Sequence, residues 1–382
     1  MLRNCPVLCI VACSTFIASA SMADRQADCL QSQDLTRTIH GCSEIIENGK
    51  RESRSSRVGA YNNRGNAYYA NGDFLRALND YSQAILINPI IARSYYNRGN
   101  TYIAMADFDR AISDLNKAIQ LNPKYWEAYV NRGVSHRGRG SLDRAISDYN
   151  QAIQLNPRFA EAYVNLGVAY KEKNQLDRAI EEFSKAIKIN AEFAGAYVER
   201  GATYSLARDF DRALADYTKA IELNPRFADA YIRRGNLSHE RREFIPAIVD
   251  YSKAIEINPE DGGAYFNRGN SHLFSGNFDK AIVDYTKAIE INPKYAKAYD
   301  NRGISRLAKG DFDGAIADHT KAIEVNPSLF DAYVNRAQAY RRAGNIKSAI
   351  LDLRTALKIN PSSSFAQTLL KMLCEQVPGE CS

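Results

Sequence analysis

Apolar, small and polar residues recur along this chain with a fixed period of 34 residues. The dipeptide Asn-Pro marks the period. Its Pro falls at 89, 123, 157, 225, 259, 293, 327 and 361, and the missing member is Asn190-Ala191. Setting each Pro at position 32 of a unit divides the chain into nine units: 58–91, 92–125, 126–159, 160–193, 194–227, 228–261, 262–295, 296–329 and 330–363. A period of this length means one supersecondary unit copied along a stack, because a single unit cannot bury its own apolar face.

Inside the unit, position 4 is Tyr in all nine copies (Tyr61, Tyr95, Tyr129, Tyr163, Tyr197, Tyr231, Tyr265, Tyr299, Tyr333), and position 8 is Gly in eight and Ala337 in the ninth. Position 11 is usually Tyr, as in Tyr68, Tyr102, Tyr170, Tyr204 and Tyr340, so 4, 8 and 11 form one helical stripe. A second stripe runs through 17, 20, 21, 24, 27 and 28, for example Phe210, Ala213, Leu214, Tyr217, Ala220 and Ile221. Turn residues such as Gly72-Asp73 and Gly310-Asp311 separate the two. Each unit is therefore expected to be two amphipathic helices, with small residues at 8 and 20 letting the axes approach. Pro at 32 is expected to open the next helix, where its missing N–H is harmless.

This pattern of aromatic 4, small 8, aromatic 11, Ala 20, aromatic 24, Ala 27 and Pro 32 resembles the tetratricopeptide repeat over about four-fifths of the chain. The resemblance implies an all-α, right-handed α-solenoid of antiparallel helix pairs with a concave inner surface, in a family that generally binds peptides or assembles complexes. Repeat 6 departs most, with Ser238 at position 11 and Pro246 at 19, which fits only in the first turn of a helix. Repeat 4 lacks the Pro, so its junction at Ala191 is expected to be looser.

The two ends of such a stack need caps. Residues 364–374, with Phe365, Leu369, Leu370, Met372 and Leu373, read as a lone capping helix followed by a Pro378-Gly379 turn. Asp34, Leu35, Arg37, Ile39 and Ile46 match positions 16, 17, 19, 21 and 28, so residues 24–57 read as a degenerate repeat with about five extra residues at 53–57. In that register Cys29 falls at 11 and Cys42 at 24, the facing aromatic positions, where two buried thiols or a disulfide would fit.

Composition adds a compartment. Met1 to Ala23 carries Arg3, an apolar run from Val7 to Ala18 and small residues ending in cleavable Ala20 or Ala23, the pattern of a secretory signal. The run is too short to span a bilayer. Ile10 to Cys13 also resembles a lipoprotein box, which would anchor the chain through Cys13. With the signal removed, four of the seven cysteines remain, and an oxidising compartment favours Cys29–Cys42 and Cys374–Cys381 bonds. A net charge of +6 over 382 residues demands neither nucleic acid nor an acidic membrane.

A search for chemistry returns structure instead. His136 and His272 sit at position 11 and His319 at 24, in place of a packed Tyr, while His239 is at 12 and His40 in the cap; none stands at metal-ligand spacing. Position 23 is acidic in all nine units, which is periodic rather than unique. No phosphate-cradling loop or nucleophile elbow occurs, so neither an enzyme, a cofactor nor a metal is expected. The clusters Arg137, Arg139, Arg144 and Arg233, Arg234, Arg241, Arg242 read as a solvated face, or as a site for an acidic peptide or polysaccharide.

Two ladders remain. Arg stands at position 7 in eight units, each time with Asp at 23, and repeat 4 changes both, to Leu166 and Glu182; position 7 lies about 60° from position 4, so a partly buried pair is expected. Position 6 is Asn in seven units (Asn63, Asn97, Asn131, Asn165, Asn267, Asn301, Asn335), beside a position 5 that is apolar from repeat 2 to repeat 7 (Tyr96, Val130, Val164, Val198, Ile232, Phe266). Position 5 lies on an arc away from the 4, 8, 11 stripe and is expected to be exposed to a ligand. The Asn series is similar to the asparagine ladder of O-linked GlcNAc transferases, and no unit has the Lys at 5 of a carboxylate clamp. The expected ligand is an extended peptide anchored by Asn97, Asn131, Asn165, Asn267 and Asn301, with Glu199 and Arg233 as the selective stretch. The alternatives are that the amides bond neighbouring helices, or that the chain is an accessory envelope component for secretion or polysaccharide export that contacts glycans.

Overall fold

The computed structural model describes residues 27–30 and 34–377, and among these every regular element is a helix. Expectations for the signal segment, Cys13, Pro378-Gly379 and Cys381 lie outside the described residues. The chain divides into two compact units, residues 1–173 and 174–382, with the division inside repeat 4 between Ala160–Glu172 and Leu176–Ile189.

In the first unit a cap helix, Leu35–Glu47, precedes the pairs Arg54–Ala70 with Phe74–Ile87, Ala92–Ala104 with Phe108–Leu121, and Trp126–Gly138 with Leu142–Leu155, then Ala160–Glu172. In the second, Leu176–Ile189 is followed by five pairs: Ala194–Leu206 with Phe210–Leu223, Ala228–Glu240 with Phe244–Ile257, Gly262–Phe274 with Phe278–Ile291, Ala296–Ala308 with Phe312–Val325, and Phe330–Arg342 with Ile346–Ile359. Ser364–Gln376 closes the stack. Within each unit, consecutive helices pack on one another in series.

The extra residues at 53–57 form the cap and first turn of the repeat 1 helix, whose Ser53 side chain accepts the Ser56 N–H. Four second helices start on an Asp at position 16, where Asp73, Asp107, Asp209 and Asp311 accept the N–H three residues on. Pro246 is the third residue of its helix, inside the first turn as required.

Pro at 32 does not open the next helix. It lies in a turn before it, and the Asn at 31 builds that turn by accepting the N–H two residues on, as Asn122 does from Lys124 at 3.1 Å. Asn190 makes the same bond to Glu192 at 3.0 Å. Repeat 4 therefore keeps the common turn, and the looser junction expected from Ala191 is absent.

The core is the predicted stripe. Tyr81, Tyr149, Tyr251, Tyr285 and Phe183 at position 24 are at most 1% exposed. A Cβ on Gly133 would stand 2.6 Å from the Tyr149 ring and one on Gly269 2.8 Å from Tyr285, which is why position 8 is Gly wherever a ring faces it. Ala337 is accommodated because its repeat has Leu353 at position 24. Buried His319 and His272 replace rings, as expected. At the cap, a disulfide joins Cys29 to Cys42 with the Cα atoms 4.6 Å apart, packed among Ile45 and Ala60.

Candidate functional site

Arg at position 7 and Asp at 23 form a bidentate pair in all eight repeats that carry both; in repeat 5, Arg200 meets Asp216 at 2.8 Å through both Nε and Nη2. The third guanidinium nitrogen does something the sequence reading missed. It donates to position 25 of the preceding repeat, as Arg200 does to Ser184 at 2.9 Å, Arg98 to Ser82 at 3.0 Å and Arg336 to Thr320 at 3.0 Å. Arg64 reaches Ser43 of the cap at 2.8 Å. One side chain thus locks its own helix pair and the previous one. The Asp216 carboxylate raises the Arg200 pKa further, against the opposing pull of burial.

The basic clusters are largely neutralised. Arg139 pairs with Asp109, Arg137 with Glu172 at 3.6 Å, Arg233 with Asp229 at 2.7 Å and Arg241 with Asp211 at 3.1 Å. Cations at position 14 also meet acids at 18 of the preceding repeat in Lys173–Asp143 and Lys309–Asp279. Arg137, Arg139 and Arg241 thus join repeats, while Arg233 pairs within its own helix.

The asparagine ladder is likewise partly internal. Asn97 donates to Asn66 at 3.0 Å, Asn131 to Asn100 at 2.6 Å, Asn267 to Asn236 at 3.2 Å and Asn301 to Asn270 at 2.8 Å, each time from position 6 to position 9 of the preceding repeat. The same position 9 oxygen takes the phenol of position 24: Tyr81, Tyr251 and Tyr285 donate to Asn66, Asn236 and Asn270, each at 2.8 Å. Repeat 8 has Ile304 at 9 and improvises the relay from position 5, where Asp300 receives His319 at 2.7 Å and Asn335 at 3.1 Å.

In repeat 3 the central member is Val134. The buried Tyr149 hydroxyl consequently has no partner, and Asn165 makes no side-chain hydrogen bond among the described residues. Asn97, Asn267 and Asn301 use one N–H in the relay and keep a second donor and the acceptor on a half-buried face, whereas Asn131 also donates to the Tyr96 hydroxyl at 3.2 Å and keeps its acceptor.

The exposed apolar strip is corrected. Val130 and Val198 are only 6% and 2% exposed, and Tyr96, Val164, Ile232 and Phe266 are half-buried. Position 5 is covered by position 34 of its own repeat: Tyr96 packs on Tyr125 and Phe266 on Tyr295, both at 4.7 Å between ring centres. It is a packing seam. Glu199 stays half-buried near Arg233. Among the described residues no three potential metal ligands converge, and no helix is long and apolar enough to cross a membrane.

Family models described as "TPR repeat" match residues 136–174, and models described as "Tetratricopeptide repeat" match 58–90, 92–125, 160–193, 194–227, 263–295 and 301–364. A search of curated proteins returns no match. Among solved structures, the chain is similar to the APC/C hetero-tetramer Cut9-Hcn1 (15% identity, 92% of this chain and 87% of that one, TM-score 0.50), which shows the fold alone. It is also similar to YrrB, titled a TPR protein with an unusual peptide-binding site (28%, 50% and 99%, TM-score 0.45), and to a tetratricopeptide repeat protein from Parabacteroides merdae (21%, 65% and 98%, TM-score 0.48). With matches running from residue 58 to residue 364 over helix pairs of this geometry, the chain belongs to the tetratricopeptide repeat family and is a protein–protein interaction scaffold, of a kind that is generally non-catalytic.

Proposed function

We propose that this chain is an exported, non-catalytic scaffold that holds an extended peptide against the amide-bearing face of its first helices. The observation that carries the reading is the relay itself. By tying Asn97, Asn131, Asn267 and Asn301 to the preceding repeat, it fixes each amide plane in advance, so the remaining donor and acceptor groups meet a peptide backbone with little ordering cost. Asn165, which makes no such bond, contributes a whole amide, and Glu199 with Arg233 supplies charge selectivity. Val130 and Val198 have no part in contact; Tyr96, Val164, Ile232 and Phe266 flank the amides. Export is supported by the Cys29–Cys42 bond and by the signal-like residues 1–23. Cys374 is also disulfide-bonded, and Cys381 is its proposed partner.

The test uses extended peptides selected on the intact chain from a displayed library. Replacing Asn97, Asn131, Asn165, Asn267 and Asn301 by Ala is expected to abolish their binding while helicity persists; Asn165→Ala alone, which breaks no relay, is expected to weaken it. Undiminished binding by both chains refutes the reading. A second reading, an envelope component that contacts glycans, is favoured by one observation: Phe274 is 65% exposed and stacks on Phe244 at 5.9 Å, beside His239. Retention of a neutral oligosaccharide, lost on Phe274→Ala, would establish it.

A further inference from the structure

We propose that the cavity between the disulfide-held cap and the first repeats is a pocket for one aliphatic side chain and a neighbouring acidic one in the bound peptide; this rests on the peptide reading above. The cavity holds about 350 Å³, at the small end of ligand sites and enough for a side chain with its neighbour. Its apolar wall is Leu30, Leu35, Ala67 and Ala70. Leu30 is 74% exposed, an unusual state for an aliphatic residue that borders a concavity, and it gives an incoming side chain apolar surface to cover.

The polar lining is Thr38, Asn63, Asn66 and Arg93, and two of its members present donors alone. Asn66 already accepts from Tyr81 and Asn97 on its oxygen, so what it retains for a ligand is N–H. Asn63 stands at position 6, but the residue at position 9 of the cap is Ala27, so its amide has no relay partner and makes no hydrogen bond among the described residues. Arg93 is exposed and, among the described residues, makes no ion pair and is the one charged residue lining the cavity. A guanidinium carries five donors and no acceptor. A wall of aliphatic carbon facing donors and one cation selects an apolar group beside a carboxylate. The Leu30 side of the wall is held through Cys29–Cys42, which ties the 27–30 turn to the cap helix.

The probes are N-acetyl-Gly-Leu-Asp-Gly-amide, its Leu-Asn counterpart and its Gly-Asp counterpart, titrated into the full chain with the side-chain amides of Asn63 and Asn66 followed by NMR. The Leu-Asp probe is expected to shift both amides and to bind at least tenfold tighter than either counterpart. Arg93→Gln is expected to erase the preference for Asp over Asn. Ala70→Trp, which fills the cavity from an exposed position, is expected to abolish binding, and Cys29→Ser with Cys42→Ser to weaken it at least tenfold at unchanged helicity. Equal binding of the three probes, no shift at either amide, or Leu-Asp binding that survives Ala70→Trp overturns the pocket. If library-selected peptides bind the Ala70→Trp chain normally but not the five-alanine chain, the pocket fails and the amide face stands; the opposite pattern separates them the other way.

Discussion

Tyr149→Phe and Tyr285→Phe remove the same atom from the same position of two repeats, yet they should move stability in opposite directions. Tyr285 donates to Asn270 at 2.8 Å, and its loss removes one hydrogen bond while Asn301 continues to donate to the same oxygen. That costs about 0.5–1.5 kcal/mol. The Tyr149 side chain is 0% exposed and its hydroxyl has no partner among the described residues, because Val134 stands where sister repeats have Asn. An unsatisfied buried polar group carries a penalty of about 1–3 kcal/mol, so deleting it should be neutral or stabilising by about 1 kcal/mol. The same burial pushes the Tyr149 phenol well above its ordinary range.

The cause can be isolated with a third change. Val134→Asn restores the acceptor for Tyr149 and the missing partner of Asn165, two bonds of about 1 kcal/mol each against some lost apolar packing. In that background Tyr149→Phe should become destabilising, like Tyr285→Phe, so the cycle over Val134 and Tyr149 should show a coupling of about 1–2 kcal/mol. Urea midpoints of the full chain, at a common slope, measure all four states. If Tyr149→Phe destabilises as much as Tyr285→Phe in the unmodified chain, the relay is not what position 9 provides.

Three further outcomes follow from the same packing. Arg200→Leu should cost about 2 kcal/mol or more in a thermal melt or urea titration, since it strands Asp216 at 6% exposure and unties Ser184; adding Asp216→Leu should recover most of it, and an unchanged or raised midpoint in the single variant limits the ladder to specificity. Gly269→Ala should cost about 1–3 kcal/mol by driving Cβ toward the Tyr285 ring, and Tyr285→Leu in the same chain should relieve the clash, as Ala337 with Leu353 does naturally; urea midpoints that show no such rescue refute this. Burial lowers the pKa of His136, His239 and His272 below their unfolded value of about 6.5, so the unfolded chain binds more protons as pH drops. Stability should be complete above pH ~6.5 and decline as pH falls toward the folded values; His272→Tyr should flatten the change in melting temperature between pH 5.5 and 7.5.

The helix pairs, the Gly–ring contacts and the Arg–Asp pairs were legible because copying exposes them. Arg at 7 changes to Leu166 in the one repeat where Asp at 23 changes to Glu182, and a pair that varies together within one chain announces a contact. The fates of positions 5 and 6 were not legible, for a geometric reason. A helical wheel assigns faces relative to the packing inside one repeat, whereas the residues that cover Val130 or engage Asn131 arrive after the turn or from the repeat before. The signal was nonetheless present. Asn66, Asn100, Asn236 and Asn270 at position 9 immediately precede the repeats in which Asn97, Asn131, Asn267 and Asn301 stand at position 6. Where position 9 is Val134, Tyr149 is orphaned, and where it is Ile304, Asp300 takes over the acceptor role.

That correlation separates two roles that the same residue type plays on one face. An amide with an Asn behind it first joins repeats, and only its remaining groups are available to a ligand. An amide without one, Asn63 or Asn165, does not join repeats through its side chain, so its substitution should leave stability nearly unchanged. Alanine at Asn97 should therefore lower both stability and peptide affinity, while alanine at Asn63 or Asn165 should lower affinity alone. Parallel urea and peptide titrations of the three variants read the two effects separately, and a stability loss at Asn165 equal to that at Asn97 would remove the distinction on which the ligand-facing role of these residues rests.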